Sequence, residues 1–221
     1  MNAAVPPQPP TVRFADRATA GEELGRLLGD RTDAVVLAIP SGGVPVAAAV
    51  ARILGAPLDP LDLLDVHEIT AHRRDLGVGA VSSTSDDAVR PSSAHALGVS
   101  DTELAGKTTR EQDKLTTLLS RVRAARPAEP LEGRLAIVVD DALAVTPAVA
   151  AAAFDVRARG ATRAVLAVPV AVDAFATAVA EDYDEIVCLE RVAGNLDLGD
   201  WYATLDPVED DEVISTVLGQ R

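Results

Sequence analysis

Short, continuous apolar runs alternate with helix-like segments along much of the chain. The runs are rich in Val, Ile, Leu and Ala, which is typical of strands buried on both faces of a sheet. This alternation predicts an α/β fold with a mostly parallel central sheet flanked by helices. The predicted strands are 34–39, 56–66, 76–83, 134–140, 163–170 and 185–190. The predicted helices are 44–54, 99–125, 147–159 and 172–181, with another after a short extended piece in 11–30.

Capping and breaker residues mark where several predicted helices begin and end. Ser100, with Glu103 three places later, has the spacing of a capping box. Gly55 and Gly160 each follow a helical pattern and predict its C-terminal end. The polar segment 67–75 predicts a loop. The first helix carries a helix-spaced apolar stripe made of Leu24, Leu27 and Leu28.

The composition favours a folded domain with a core of small and aliphatic residues. Hydrophobic residues make up 48% of the chain and aromatic residues only 3%, so Ala, Val and Leu must fill the core. Residues 12–221 are expected to form one domain. Residues 1–11 read as a disordered, Pro-rich lead without the pattern of a secretory signal. No apolar run reaches about 18 residues, so no membrane span is expected.

The net charge indicates which classes of binding partner are disfavoured, and the single cysteine indicates the cellular compartment. The net charge of −14 opposes binding to nucleic acid or anionic membranes, because neutralising phosphates requires clustered Lys and Arg. An anionic ligand can still bind in a local pocket through backbone amides and a metal ion. Cys188 is the only cysteine, which rules out an intrachain disulfide and favours a cytoplasmic setting. In its apolar run it is expected to be a buried strand residue.

Two loops follow predicted strands where ligands bind in parallel sheets, beyond the carboxyl ends. The turn "PSGG" at 40–43 brings two glycines and a helix N-terminus to one place, which suits a phosphate or pyrophosphate. Strand–Gly-Gly–helix turns are also common in purely structural roles. Asp140 and Asp141 can bind ribose hydroxyls or hold Mg²⁺ through waters. The structural alternative is that one aspartate caps a helix and the other faces solvent.

Five motifs, in order, resemble those of the type I phosphoribosyltransferases, and most closely a bacterial subgroup of roughly this size. The resemblance spans about residues 12–215. It implies that family's α/β fold, with a small hood formed by the terminal segments. The matching motifs are "FADRATAG" at 14–21, "PSGGVPVA" at 40–47, "GVGAV" at 77–81, "VDDALAVTPA" at 139–148 and "WYATLDPVEDDEV" at 201–213.

The resemblance implies transfer of ribose 5-phosphate from phosphoribosyl pyrophosphate, with Mg²⁺, to an acceptor and release of pyrophosphate. Asp140 and Asp141 would be the catalytic pair, holding the ribose hydroxyls and, through waters, the metal. Arg73 and Arg74 lie in the expected flexible loop 66–76 and would meet pyrophosphate, or else belong to a solvated loop. The pyrophosphate would be held by Ser41, Gly42 and Gly43. The 5′-phosphate would face Ala144, Val145, Thr146, Pro147 and Ala148.

Several of these positions depart from the family's phosphate-binding pattern. Val145 and Ala148 stand where the family has threonines, and their side chains donate no hydrogen bond. Pro147 has no N–H, and Thr146 in place of glycine makes positive φ costly. Thr146 and Pro147 suit a capped helix start instead. Ser41 replaces the usual arginine and removes a fixed charge. The sequence thus predicts a degenerate phosphate-binding loop.

Whether activity survives is left open by the sequence. One hypothesis is a phosphoribosyltransferase of the glycosyltransferase class in nucleotide metabolism. The alternative is a non-catalytic descendant that binds a nucleotide-like ligand or a protein partner, and a purely structural subunit would bind no small molecule. The acceptor and the oligomeric state are not readable, although homodimers are common in the family. Trp201 and Tyr202 are expected to pack in the core, with base stacking as the alternative.

Overall fold

Five parallel strands form the central sheet of this protein in a computed structural model. The structure describes residues 12–31, 33–69, 75–82, 98–143, 147–194 and 196–220. For residues 67–69 and 75–78 it describes the backbone alone. The strands are β1 (Ala34–Ala38), β2 (Leu58–Pro60), β3 (Leu64–Ile69), β4 (Asp75–Val81), β5 (Leu135–Val139), β6 (Arg163–Val172) and β7 (Glu185–Val192). The central sheet has the order β2-β1-β5-β6-β7, and β3 pairs with β4 in a separate antiparallel hairpin. The predicted α/β fold is confirmed.

Helices cover both faces of the central sheet because its inner strands are apolar on both sides. Val36 and Ile137 belong to one buried cluster, with residues of α1, α2, α3 and α6. Val35 and Val138 belong to the opposite cluster, with residues of α4 and α5, as the alternation of strand side chains requires. The helices are α1 (Arg17–Leu28), α2 (Gly43–Leu54), α3 (Asp101–Ala125), α4 (Pro147–Ala158), α5 (Asp173–Ala178) and α6 (Asp210–Gly219).

Local signals placed most helix boundaries correctly. The backbone N–H of Glu103 donates to Ser100 Oγ at 3.3 Å, and the Ser100 N–H donates to Glu103 Oε2 at 3.0 Å, so the capping box is present. Leu24 and Leu28 are buried as expected, but Leu27 is 54% exposed and lies off the apolar stripe. Among the described residues, no helix is both long enough and apolar enough to cross a membrane.

The segment 56–66 is not the single strand that its sequence predicts. It supplies β2 to the edge of the central sheet and then the start of β3 in the hairpin. β2 ends at Pro60, and the N–H of Leu61 makes one further hydrogen bond to the Ala38 carbonyl, at 2.9 Å. Proline is tolerated there because β2 is an edge strand. The predicted loop 67–75 is also partly wrong, since β3 extends to residue 69 and β4 begins at residue 75.

The two ends of the described chain pair with each other and form the expected hood. Phe14 forms a parallel bridge with Tyr202, and their ring centroids are 5.4 Å apart. The N–H of Phe14 donates to the Trp201 carbonyl at 2.9 Å, and the N–H of Ala203 donates to the Phe14 carbonyl at 2.9 Å. Tyr202 is only 2% exposed, so it packs in the core as expected.

A buried carboxylate fastens the long helix α3 to the edge of the sheet. Asp59 in β2 is fully buried and accepts two hydrogen bonds from Arg123, at 2.7 and 2.9 Å. Arg126 also contacts its carboxylate, at 3.4 Å, and the Glu129 N–H donates to it at 3.2 Å. Since a buried ion must be paired and hydrogen-bonded, Asp59 depends on the C-terminal end of α3.

We expect Asp59→Ala to destabilise the fold strongly. Removing the carboxylate leaves Arg123 and Arg126 near the buried edge without their anion, and breaking such a pair costs about 3 kcal/mol of unfolding free energy. Urea denaturation measures this change. The matched control is Asp211→Ala, which removes an exposed carboxylate that also pairs with an arginine of α3, and which should leave the midpoint nearly unchanged. Equal midpoints for the two variants would contradict the prediction.

Candidate functional site

The two candidate loops lie side by side at the carboxyl edge of the sheet. They follow β1 and β5, which are neighbouring parallel strands paired up to Ala38 and Val139. The N–H of Ile39 donates to the Val139 carbonyl at 3.0 Å, so the two strands separate only where the loops begin. The peptide bond between Pro40 and Ser41 is cis. The turn 40–43 and the aspartate pair therefore lie next to each other, at the place where open parallel sheets have their ligand-binding crevice.

The glycines of the turn are required because this turn packs directly against the aspartates. A Cβ added at Gly42 would lie 2.3 Å from Asp141 Oδ2, and one at Gly43 would lie 2.8 Å from the Val139 carbonyl oxygen. Gly42 has φ of −60°, which other residues adopt readily. Close approach to the protein's own carboxylate thus explains the glycine at position 42.

Asp141 is held by residues from both ends of the described chain. Arg17 Nε donates to Asp141 Oδ2 at 2.8 Å, and Arg17 Nη1 donates to the Asp206 carbonyl at 2.8 Å. The Tyr202 hydroxyl donates to the Asp141 carbonyl at 2.8 Å. Burial, followed by the charge of Asp141, raises the pKa of Tyr202, so its hydroxyl remains a donor. Arg17 and the hood together fix the orientation of this aspartate.

Asp140 is buried among like charges. Its side chain Oδ1 accepts the N–H of Asp141 at 2.8 Å, and the residue is 7% exposed. Burial raises the pKa of Asp140 well above the ordinary value, and the charges of Asp141 and Asp65 add to that increase. The N–H of Asp141 and the charge of Arg17 lower the pKa of Asp140, but by less. The neutral acid is accordingly favoured at Asp140 compared with an exposed aspartate.

A third carboxylate, which the sequence did not single out, occupies the N-terminus of α4. Asp65 in β3 is 5% exposed, and its Oδ1 accepts the N–H of Ala148 at 2.9 Å. Ala148 is the second residue of α4, so this N–H is one of the helix donors that has no partner within the helix. A negative charge is stabilised there by the helix dipole. Asp65 thus takes the place of an anion at this helix end.

This chain is similar to known proteins in sequence and in structure. No protein-family model matches the sequence. Two Mycobacterium tuberculosis proteins, from strains CDC 1551 / Oshkosh and H37Rv, are named as candidate phosphoribosyl transferases, and each is 34% identical to this chain over 209 residues. The match covers 91% of this chain and 46% of each relative, so the chain spans about half the length of the curated relatives it matches.

A solved structure extends the likeness over nearly the whole fold. The crystal structure of TT1426 from Thermus thermophilus superposes with a TM-score of 0.73 at 30% sequence identity, covering 95% of this chain and 99% of that one. This chain belongs to the type I phosphoribosyltransferase family. The ordered motifs of the sequence, the parallel sheet and the terminal hood all agree with that assignment.

The structure brings together some of the site positions that the phosphoribosyltransferase resemblance predicts. Asp140, Asp141 and the turn 40–43 meet at the carboxyl edge, and α4 begins at Pro147 as predicted. Ala148 is fully buried, so only its backbone can serve a ligand. The positions that lie outside the described residues are Arg73, Arg74, Ala144, Val145 and Thr146.

The aspartate pair suits Mg²⁺ only as water-mediated ligands. Among the described residues, no group of three or more His, Cys, Asp or Glu side chains could hold a metal. Asp141 Oδ2 is engaged by Arg17 and Asp140 Oδ1 by the Asp141 N–H, which leaves one oxygen on each carboxylate for water or a hydroxyl. Mg²⁺ in proteins is commonly held by one or two carboxylates, waters and the phosphates of the substrate, and the pair fits that arrangement.

We expect Arg17→Ala to destabilise the fold, because it leaves the buried Asp141 carboxylate without its cation. The two side chains are 14% and 12% exposed, so the loss should reach about 2–3 kcal/mol of unfolding free energy, somewhat less than for a fully buried pair. Arg26→Ala is the control on the same helix, since Arg26 is 60% exposed and pairs with Glu22 one turn away. Equal unfolding free energies for the two variants in chemical denaturation would contradict the role assigned to Arg17.

We expect Asp140→Asn to stabilise the protein more at about pH 8 than at about pH 5.5. Because folding raises the pKa of Asp140, the ionised carboxylate opposes folding, and this penalty grows as the pH rises from the unfolded pKa through the folded one. Asparagine keeps the oxygen that accepts the Asp141 N–H. Each kcal/mol recovered should raise Tm by about 2–4 °C. The exposed Asp173→Asn is the control; a gain for Asp140→Asn that is independent of pH would refute the argument.

Proposed function

We propose that this chain is a phosphoribosyltransferase domain that transfers ribose 5-phosphate from phosphoribosyl pyrophosphate to an acceptor and releases pyrophosphate. The observation that supports this most is the direct packing of the 40–43 turn against Asp141. It puts backbone amides suited to phosphate beside carboxylates suited to ribose hydroxyls. The candidate phosphoribosyl transferases among the relatives support the same assignment. Because those relatives are about twice as long, the activity of the whole protein is part of the proposal.

Each group in the crevice has a defined task in this reaction. Ser41 and the amides at the start of α2 bind pyrophosphate, and the remaining oxygens of Asp140 and Asp141 accept hydrogen bonds from the ribose hydroxyls. Arg17 keeps the Asp141 carboxylate in place. When bound, Mg²⁺ neutralises the departing pyrophosphate. The bond between ribose C1 and pyrophosphate oxygen breaks, the acceptor atom bonds to C1, and the acceptor loses a proton.

The catalytic contribution of this site is mainly electrostatic. Positive charge develops on the ribose ring as pyrophosphate leaves, and a fixed carboxylate beside the ring stabilises it. Arg17 holds the Asp141 side chain in place there, and the Tyr202 hydroxyl holds its backbone carbonyl. Asp140, whose pKa is raised by burial, is better suited to hydrogen bonding than to carrying charge. The two aspartates therefore have different roles within one pair.

The setting and partners of the reaction follow from the same residues. We place the protein in the cytoplasm, because its single cysteine fits a reducing compartment. The partner is phosphoribosyl pyrophosphate or a related sugar phosphate, rather than nucleic acid or a membrane, given the net charge of −14. A homodimer is the oligomeric state that the family resemblance favours.

The function is tested by pyrophosphate release from phosphoribosyl pyrophosphate with Mg²⁺ and a panel of nucleobase and amine acceptors. We expect acceptor-dependent release that falls by about 100-fold or more in Asp141→Asn, because the carboxylate that faces the developing charge is lost. Asp173→Asn removes the same charge from an exposed position and should keep full activity. Calorimetric titration with phosphoribosyl pyrophosphate and Mg²⁺ gives the affinity separately. Binding without release supports the non-catalytic alternative, and no heat up to millimolar ligand contradicts the proposal.

A further inference from the structure

The N-terminus of α4 already holds an anion, and that anion belongs to the protein. Asp65 accepts the N–H of Ala148 at 2.9 Å and is 5% exposed. We propose that Asp65 is an internal competitor for the 5′-phosphate, so that its carboxylate and a phosphate group occupy the start of α4 in turn and never together. This inference rests on the proposed function, because it assigns the 5′-phosphate of the sugar to the start of α4.

Among the described residues, the backbone donors at the start of α4 begin with the N–H that Asp65 accepts. Pro147, the first residue of α4, has no N–H. The N–H of Ala148 is therefore the first that the helix can offer, and it points at Asp65. The side chain of Ala148 is fully buried and apolar, so it adds no donor. A phosphate at the start of α4 would compete with Asp65 for this N–H.

The charges around the crevice make the competition unequal. The charges of Asp141 and Asp65 both raise the pKa of Asp140, so Asp65 lies close to that carboxyl. The charge of Arg17 lowers the pKa of Asp140. The Arg17 Nε already donates a hydrogen bond to Asp141. A phosphate dianion brought to α4 while Asp65 stays in place would meet like charges at short range. Asp65 must leave Ala148 before the phosphate can bind there.

Asp65 also has a structural role, and the two roles make different predictions. As a cap for α4 it stabilises the helix, because it satisfies an otherwise unpaired donor. A purely structural cap predicts that its removal lowers stability and leaves the affinity for phosphate unchanged or weaker. A competitor predicts a gain in affinity even where stability falls. Affinity for a phosphate ligand is therefore the measurement that separates the two roles.

The test is calorimetric titration of ribose 5-phosphate into the full chain and two variants. Asp65→Asn removes the charge and keeps an oxygen that can accept the Ala148 N–H, whereas Asp65→Ala removes both. We expect ribose 5-phosphate to bind at least about 10-fold more tightly to Asp65→Ala than to the native chain, with Asp65→Asn in between. Asp173→Asn, which makes the same change in net charge on an exposed residue, should bind as the native chain does.

Equal or weaker binding by both Asp65 variants would overturn the proposal, and so would a failure of every variant to bind. If the variants do not fold, the native chain is titrated with ribose 5-phosphate and the Ala148 amide is followed by nuclear magnetic resonance. Its signal should shift in step with binding, and an unperturbed Ala148 amide at saturation would also overturn the proposal. Pyrophosphate release from phosphoribosyl pyrophosphate is measured in parallel, so that failure of the competitor and failure of the transferase function are distinguished.

Discussion

Three buried carboxylates at the carboxyl edge of one sheet are the constraint on which this structure depends. Asp65, Asp140 and Asp141 are each at most 9% exposed, and buried charges of one sign repel each other and lose their hydration. Each accepts a hydrogen bond: Asp65 from the α4 backbone, Asp140 from the N–H of the next residue, and Asp141 from Arg17. The site therefore ties the sheet, the hairpin and α1 into one cooperative unit.

The same compensation limits what a ligand can gain from the crevice. A donor that already binds a carboxylate of the protein must be released before it can bind a phosphate. The turn approaches Asp141 so closely at Gly42 that no side chain fits there. The same hydrogen-bond donors therefore determine both the stability of the fold and the affinity for an anionic ligand. Sites of this kind commonly gain stability when an active-site charge is removed, and lose function by the same change.

The parts of the fold that depend on local sequence could be predicted, and the parts that depend on distant pairs could not. The strand at 34–39 and the box of Ser100 and Glu103 are set by neighbouring residues, and both were found. Arg17 and Asp141 are 124 positions apart, and Asp65 and Ala148 are 83 apart. No spacing rule connects such pairs. The resemblance placed Arg17 in a motif, but only the fold shows that its partner is Asp141.

The start of α4 shows how a local and a distant residue depend on each other. A loop that wraps a phosphate uses its amides on the ligand, and a helix that begins with Pro147 leaves the next N–H in need of an acceptor. An N-cap side chain ordinarily serves the N–H of the second or third helical residue, yet the N–H of Ala148, the second residue of α4, is served by Asp65 from β3. The first N–H that α4 can offer thus has a carboxylate partner 83 positions earlier in the chain, so Pro147 and the distant Asp65 determine together how this helix begins.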